Sequence, residues 1–593
     1  MTFPYKKLLL LCLLLITIGW LIYGQALSFG LITQDDFITI NYPKTYPNLL
    51  SRPMTIFTTP MPESAFFWMP VTGLSFLTDI LICPTAYHVL HLTNIVLHAC
   101  NAIILFLLLS YTTKKIWAGF LVALIFTVHP LNVETVVVIT NRAALLSMFF
   151  WLMTIVAYVY YTQRPSVGRY GLMLMFFILG LMAKPSIAGY VFCLPLLDIW
   201  PLCRFHRRLS GSGTDTKTGF ALSPAWKLVL EKVPIVAVAI GWGMMTSYLF
   251  TRISFYRSPV FFEARNQLLS RAVNIPVSWM GYLYKFFVPV RLNYFTPAPP
   301  LKDFSVGQGL AAALGVAGIT FFLLLFLRRQ KPLVSGWLWF LICITPHSIT
   351  NALLQNFVTS RYAYFPMIGL AIMVVWGTFL LSRQVSSKWK NIFIFVLAGL
   401  TIPLFILARA QVGHWESRTA LYRHAISIDP DKSMLHLNLG RELFKNGDIN
   451  QALTEFRVAR DLCPECPEPV INLGLAYLAK NEPHLALTYL EKGLAIQPDN
   501  ISVNQNLAKL FIRQERYAEA IDLLEQLITI RPDYSVSIAY QLAVLYAHQN
   551  DVAKTVSWLD KCLKKNPAMI AVAEKEPIFS RIRKEGYFRK YSP

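Results

Sequence analysis

Charge is scarce in this sequence: of 593 residues only 15% are Asp, Glu, Lys or Arg, 55% are hydrophobic, and the mean hydropathy is +0.48. Soluble chains average about 25% charged and 45–50% apolar residues, so a single soluble globule is excluded and most of the chain belongs in lipid. Acid is the scarcest component. Up to residue 410 there are 31 Lys and Arg but only ten Asp and Glu, against 23 and 22 beyond it, so almost all of the net charge of +22 lies in the first part. Loops that flank membrane helices collect Lys and Arg on the cytoplasmic side; the basic excess therefore needs no nucleic acid as a partner. Cysteine is sparse too. Of the nine, Cys12, Cys100, Cys193 and Cys343 fall in apolar runs, where a thiol behaves as a small hydrophobe. No disulfide framework is indicated, and the one tight pair, Cys463-Pro-Glu-Cys466, lacks the second CxxC or His pair of a zinc site.

What the chain does have is long apolar runs. Segments able to cross a bilayer, short paired helices included, lie near 8–28, 86–110, 116–131, 145–161, 168–183, 187–201, 229–250, 309–328, 333–351, 362–382 and 391–409, about eleven spans. A twelfth stretch, 272–290, carries Arg271, Asn274, Pro276, Lys285 and Pro289 and reads as re-entrant or interfacial. With the N-terminus inside, beside Lys6 and Lys7, the inner loops hold Lys114/Lys115, Arg164/Arg169, Arg204/Arg207/Arg208, Arg328/Arg329/Lys331 and Arg383/Lys388/Lys390. The first run lacks a small-residue cleavage site before Gln34 and is read as a retained helix. An odd number of crossings leaves the C-terminal part on the outer face.

That part is repetitive. Pro430, Pro464, Pro498 and Pro532 are spaced by 34 residues and Pro567 follows at 35, the tetratricopeptide period. Small and large positions recur in phase: Leu439-Gly440, Ala452, Phe456 and Ala459, then Leu473-Gly474, Tyr477, Ala486 and Leu490. Leu507-Ala508, Phe511, Ala520 and Leu524 follow, then Leu542-Ala543, Tyr546 and Leu559. Small residues let paired helices approach, and proline ends the second of each pair. The expected fold class is all-α: a polytopic membrane domain over 1–410, a connecting half repeat over 411–431, four repeats over 432–567 and a tail or capping helix over 568–593. The repeats read as a curved binding surface without chemistry of its own.

Ten acids in 410 residues make each one informative. Asp35-Asp36 follows the first helix at the mouth of the outer face, where a carboxylate pair can act as general base or hold a divalent metal, or simply cap a helix. His129-Pro-Leu-Asn-Val-Glu134 to Asn141-Arg142 lies between two helices on the same face. It brings an imidazole, a carboxylate and a guanidinium fork suited to a lipid-linked phosphate, or a Glu134–Arg142 ion pair closing a hairpin. His88, His91, Asn94, His98 and Asn101 recur at three- and four-residue steps, a pattern that more often bonds neighbouring helices than binds metal. Lys184-Pro185-Ser186 and Arg361-Tyr-Ala-Tyr-Phe-Pro366 place further cations at that surface, for an anionic lipid-linked donor or for lipid headgroups.

The order Asp35-Asp36, Tyr87-His88…Asn94…His98…Asn101, His129-Pro130…Glu134…Arg142, Lys184-Pro185…Pro195…Asp198-Ile-Trp, Arg361-Tyr…Tyr364…Pro366 and Trp415 leading into repeats resembles the transmembrane and tetratricopeptide-repeat O-mannosyltransferases and their prokaryotic relatives. The resemblance covers nearly the whole chain. It implies a multi-helix glycosyltransferase whose active site faces away from the cytoplasm and takes sugar from a polyprenyl phosphate. It associates the acidic pair with catalysis, which falls here on Asp35 and Asp36. Two positions depart from the family pattern: Trp68-Met69-Pro70 stands where an Arg-Pro pair is usual, and Ser360-Arg361-Tyr362 where Asp-Arg-Tyr is common.

The expectation is therefore a transferase moving a mannose-like sugar from a polyprenyl-phosphate donor to a protein hydroxyl. Asp35 and Asp36 are its catalytic pair, with a divalent metal there left open; Arg142, Lys184 and Arg361 bind the donor phosphate, and His129, Glu134 and His88 support them. Membrane lipid and a protein acceptor or partner on the repeats are the expected partners. Two other readings stay open, a non-enzymatic scaffold and a transporter of lipid-linked sugars. The expected location is a bacterial inner membrane with periplasmic repeats, or the endoplasmic reticulum membrane in a eukaryote; the one sequon, Asn500-Ile-Ser502, is too common a pattern to place the chain there.

Overall fold

A peptide group in lipid has no water to bond, so apolar runs of this length become helices. The computed structural model describes residues 5–33, 36, 53–57, 68–83, 87–204, 224–251, 274–294, 306–354, 359–382, 396–531 and 535–588, and within them there are helices and turns and no strand. The chain divides into two compact units, Met1–Leu421 and Tyr422–Pro593.

In the first unit the helices are α1 (Tyr5–Tyr23), α2 (Pro70–Ile82), α3 (Tyr87–Thr113), α4 (Ile116–Val128), the single turn α5 (Val133–Val137), α6 (Arg142–Gln163), α7 (Val167–Ala183) and α8 (Leu194–Ile199). They continue as α9 (Ala225–Leu230), α10 (Val233–Thr251), α11 (Asn274–Phe287), α12 (Val306–Phe326), α13 (Lys331–Leu354), α14 (Pro366–Ser382) and α15 (Thr401–Gly413). Seven of the eleven expected crossings are helices long and apolar enough to span a membrane. An eighth is the pair Ile116–Val128 and Pro130–Val137, bent by 56° where Pro130 breaks the ladder. The other three, Val167–Ala183, Pro185–Ile199 and Pro366–Ser382, are shorter apolar helices. The stretch read as interfacial is α11, whose 14 residues bury Ser278, Tyr282 and Phe286 and leave Tyr284 and Phe287 exposed. At about 1.5 Å per residue it is too short to cross.

The centre of this unit is a shared core containing Phe106, Phe126, Trp151, Tyr190, Trp337 and Tyr364. Its outside is apolar as well: Leu9, Leu10, Leu314, Phe321 and Phe326 are all exposed, as a lipid-facing surface requires. Helices α13 and α14 touch backbone to backbone, since a Cβ on Gly336 would come within 2.5 Å of the Gly369 carbonyl oxygen. Small residues at such a crossing let van der Waals contact replace a hydrophobic drive that lipid cannot supply.

In the second unit the helix α16 (Arg418–Ile428), which begins in the first, is followed by four pairs: α17 (Ser433–Lys445) with α18 (Ile449–Leu462), α19 (Pro467–Ala479) with α20 (Pro483–Ile496), α21 (Ile501–Arg513) with α22 (Tyr517–Ile530), and α23 (Ser535–His548) with α24 (Val552–Lys565). The periodic small residues do what their spacing predicts. A Cβ on Gly440 would meet Phe456 at 2.5 Å and one on Gly474 would meet Leu490 at 2.6 Å, so only glycine admits the partner helix there. One residue per pair turns the chain with positive φ: Gly447, Asn481, Glu515 and Asn550. Asp448, Asn500 and Asp551 cap α18, α21 and α24. Cys463 and Cys466, without an assigned role in the sequence, are joined as a disulfide across the turn between α18 and α19.

Candidate functional site

Helix α4 runs from Lys115 at one end of the bundle to His129 at the other, and the segment after it, residues 129–142, builds the site. His129 accepts the Leu131 N–H at Nδ1 (3.2 Å) and donates from Nε2 to the Phe286 carbonyl (3.0 Å), while its ring stacks on Phe286. Those bonds fix the neutral tautomer and make His129 a cap that fastens the bend to α11. Asn132 Nδ2 donates to the Phe126 carbonyl and Asn141 Nδ2 to that of Glu134, closing the segment on itself.

Five of the ten acids of the first part lie among the described residues: Asp36, Asp79, Glu134, Asp198 and Glu231. Four of them meet a cation. Asp79 pairs with Arg142 at 2.6 Å; Glu134 faces Arg361, at 3.9 Å between Oε1 and Nε and with Oε2 accepting the Arg361 N–H at 3.3 Å. Asp198 and Glu231 share Arg204 and Lys232 in a buried quartet completed by the Tyr158 hydroxyl. Asp36 is the exception. It is buried, and among the described residues its carboxylate meets backbone amides and no cation: Oδ2 accepts from Thr33 N–H (3.0 Å) and Oδ1 from Thr140 N–H (2.9 Å). The Thr33 hydroxyl accepts the Asp36 N–H in return (3.1 Å), which is a capping box. Capping explains Oδ2; the bond from Oδ1 to Thr140, more than a hundred residues away, locks the carboxylate onto the segment 129–142. Asp35 lies outside the described residues.

The ion pair Glu134–Arg142 expected from the sequence does not form, because Arg142 points into the bundle. Its Nε donates to Asn94 (3.0 Å), Nη1 to Ser75 and Asp79, and Nη2 to the Leu90 carbonyl (2.8 Å), with its side chain fully enclosed. All three guanidinium nitrogens are engaged, so Arg142 is a buried tie between α2, α3 and α6 and not a phosphate ligand. The other two expected phosphate ligands do come together. Lys184, in the break after α7, and Arg361, in the turn before α14, lie 5.6 Å and 5.2 Å from the Tyr362 ring centre, and His347 stacks on that ring. Arg361 keeps 25% of its side chain exposed and Lys184 is partly exposed. Burial, and then the neighbouring Arg361, push the Lys184 ammonium down to about 8 against the pull of Glu134. Lys285 of α11 bears on the same carboxylate. This is a cationic cluster held by one acid, able to receive an anion.

The polar stripe on α3 bonds helices. Asn94 Nδ2 donates to the Val136 and Val138 carbonyls, Asn101 to the Leu145 carbonyl and the Tyr364 hydroxyl, and His98 Nδ1 lies 2.8 Å from that hydroxyl. His88 is exposed at the start of α3 and takes no part in the cluster. Among the described residues no three His, Cys, Asp or Glu side chains are arranged to hold a metal ion. At the departures from the family pattern, Met69 precedes Pro70 at the start of α2, and Ser360 is buried beside Arg361, whose partner acid is Glu134. The sequence missed Asp79 as the partner of Arg142 and Tyr362 as the ring shared by two cations. The scarcity of acid was the one signal for the first; nothing local marked the second.

Two family models described as tetratricopeptide repeat match residues 437–501 and 477–535. The chain is similar to Protein O-mannosyl-transferase TMTC3 of Mus musculus, 24% identical over 566 residues, 86% of this chain and 59% of that protein. It is similar also to Protein O-mannosyl-transferase Tmtc3 of Drosophila melanogaster, 23% identical over 467 residues, 70% of this chain and 50% of that one. The chain thus spans between half and three fifths of the length of these curated relatives. Among solved structures it is similar to a MamA protein, with 20% identity, a TM-score of 0.24 and coverage of 28% of this chain and 90% of that one. Similarity to the transmembrane and tetratricopeptide-repeat O-mannosyltransferases therefore extends through most of the chain and beyond its repeats.

Proposed function

We propose that this membrane protein is a glycosyltransferase that moves a mannose-like sugar from a polyprenyl-phosphate donor to a protein hydroxyl on the non-cytoplasmic face. The observation that carries the reading is Asp36, a buried carboxylate free of any cation among the described residues, held by the Thr140 amide on the segment whose Glu134 meets Arg361. Two backbone N–H bonds leave lone pairs on the carboxylate for an incoming proton. The acceptor O–H gives its proton to Asp36 as its oxygen attacks the anomeric carbon. The bond from that carbon to the phosphate oxygen breaks, and the electron pair leaves with the lipid phosphate. Lys184 and Arg361 meet the charge that develops there, which counts for more in a water-poor site than in bulk. Asp35 shares the catalytic role in this reading, and no step is assigned to a metal.

The disulfide Cys463–Cys466 supports placing the repeats in an oxidising compartment, the periplasm or the lumen of the endoplasmic reticulum. The repeats would then dock the acceptor or a partner. Mass spectrometry of periplasmic or lumenal proteins from cells with and without the gene tests the reading: hexose on Ser or Thr should disappear with the gene. Unchanged modification together with intact binding of partners by the repeats would make the chain a scaffold.

A further inference from the structure

At the end of the bundle opposite Asp36, the turn after α3, the residues after α8 and the turn before α13 enclose a cavity of about 370 Å³. Four cations line it, Lys114, Lys115, Arg329 and Lys331, and no acid does among the described residues. These come from two of the inner basic clusters read in the sequence, more than two hundred residues apart. The cavity does not end at the bundle surface. Thr112, Trp200 and Pro201 line both it and a narrow cleft that runs inward between α3, α6, α13 and α14, walled almost wholly by apolar side chains such as Leu105, Leu109, Ile155 and Ile372. A third space, about 480 Å³ between α3 and α6, lies against the same Leu108 and Val159 and is bordered by the exposed Leu107 and Tyr160.

We infer that this end of the bundle holds an anionic lipid, its phosphate among Lys114, Lys115, Arg329 and Lys331 and a hydrocarbon chain in the cleft behind Trp200. A vestibule lined by four cations selects a negative headgroup, and an apolar cleft adjoining it at Thr112, Trp200 and Pro201 selects a molecule that carries a long chain. A free phosphate would use the first and leave the second empty. The site is separate from the one assigned to sugar transfer and stands or falls without it.

The test uses the purified full chain in an uncharged detergent, with added phosphatidylglycerol retained on the protein counted by native mass spectrometry. Replacing the four cations together (Lys114→Gln, Lys115→Gln, Arg329→Gln, Lys331→Gln) should lower retention by roughly tenfold or more. The exposed pair Lys564→Gln and Lys565→Gln should leave it unchanged. Leu197→Phe, which keeps every cation and adds bulk to the cleft, should also lower retention, and the melting midpoint without lipid shows that each variant is folded. Equal retention of phosphatidylcholine, undiminished retention by the fourfold variant, or full displacement of phosphatidylglycerol by inorganic phosphate would each overturn the inference.

Discussion

An arginine beside a glutamate at a lipid boundary reads as a phosphate clamp, yet Arg142 is drawn inward because Asp79 offers a charge in a place with no water to compete for it. A lysine cannot replace that fork, which satisfies Asp79, Ser75, Leu90 and Asn94 at once. Lysine keeps the charge but leaves buried acceptors among Ser75, Leu90 and Asn94 unmet, each at a cost of about 1–3 kcal/mol. Arg142→Lys should therefore reduce the folded, monodisperse protein recovered by size exclusion, whereas Arg361→Lys should keep recovery and lower donor use. Lys184 supplies a pH test. Held near 8, its ammonium is charged below that pH and lost above it, so donor affinity should fall as pH rises through about 8. Arg361, Glu134, His347 and Tyr362 surround it, and the Arg361 guanidinium keeps its charge throughout this range. Lys184→Arg should flatten the alkaline limb of a KM-against-pH profile; an unchanged limb would assign it to another group. The sequence made each acid conspicuous by rarity, but not its partner: Asp79 and Arg142, or Glu134 and Arg361, are joined by helix ends distant in the chain, which no local pattern encodes.

Elements were more legible than pairings, for a physical reason. Lipid forces helices wherever apolar runs are long, and stacked repeats must reuse one small-residue contact in every unit; both constraints write themselves into composition and period. What they do not write is where a helix stops short or bends, as at Pro130, or which helices touch, as at Gly336 and Gly369. The last contact can be probed directly. Gly336→Ala forces a Cβ against a main-chain oxygen that cannot rotate aside, an overpacking expected to cost about 1–3 kcal/mol or more. Its melting midpoint in detergent should drop, while Gly243→Ala, with nothing within 4 Å of the new atom, should leave the midpoint nearly unchanged.

In the proposed reading the whole molecule carries its repeats on the side of an oxidising space. Cys463 and Cys466 report on that space: in sealed vesicles whose outer surface is the non-cytoplasmic face, neither should react with an impermeant maleimide until an impermeant reductant has been added from outside. Labelling that requires permeabilisation would put the repeats in the cytoplasm and move Asp36 with the outer loops out of reach of the proposed acceptor. Composition and the 34-residue period made the two-part architecture readable, while the chemistry rested on an acidic pair that could equally be a helix cap. Asp36 is a cap in part, which is why size-preserving substitution discriminates best. Asp36→Asn keeps an oxygen for the Thr33 or Thr140 amide and removes the proton acceptor, and a general base typically contributes 10²–10⁴-fold to rate. Transfer of radiolabelled mannose from polyprenyl phosphate to protein, measured in membranes holding equal amounts of folded wild type and Asp36→Asn, should be at least about a hundredfold lower in the variant. Equal transfer by the two would contradict the assignment of Asp36 as the base.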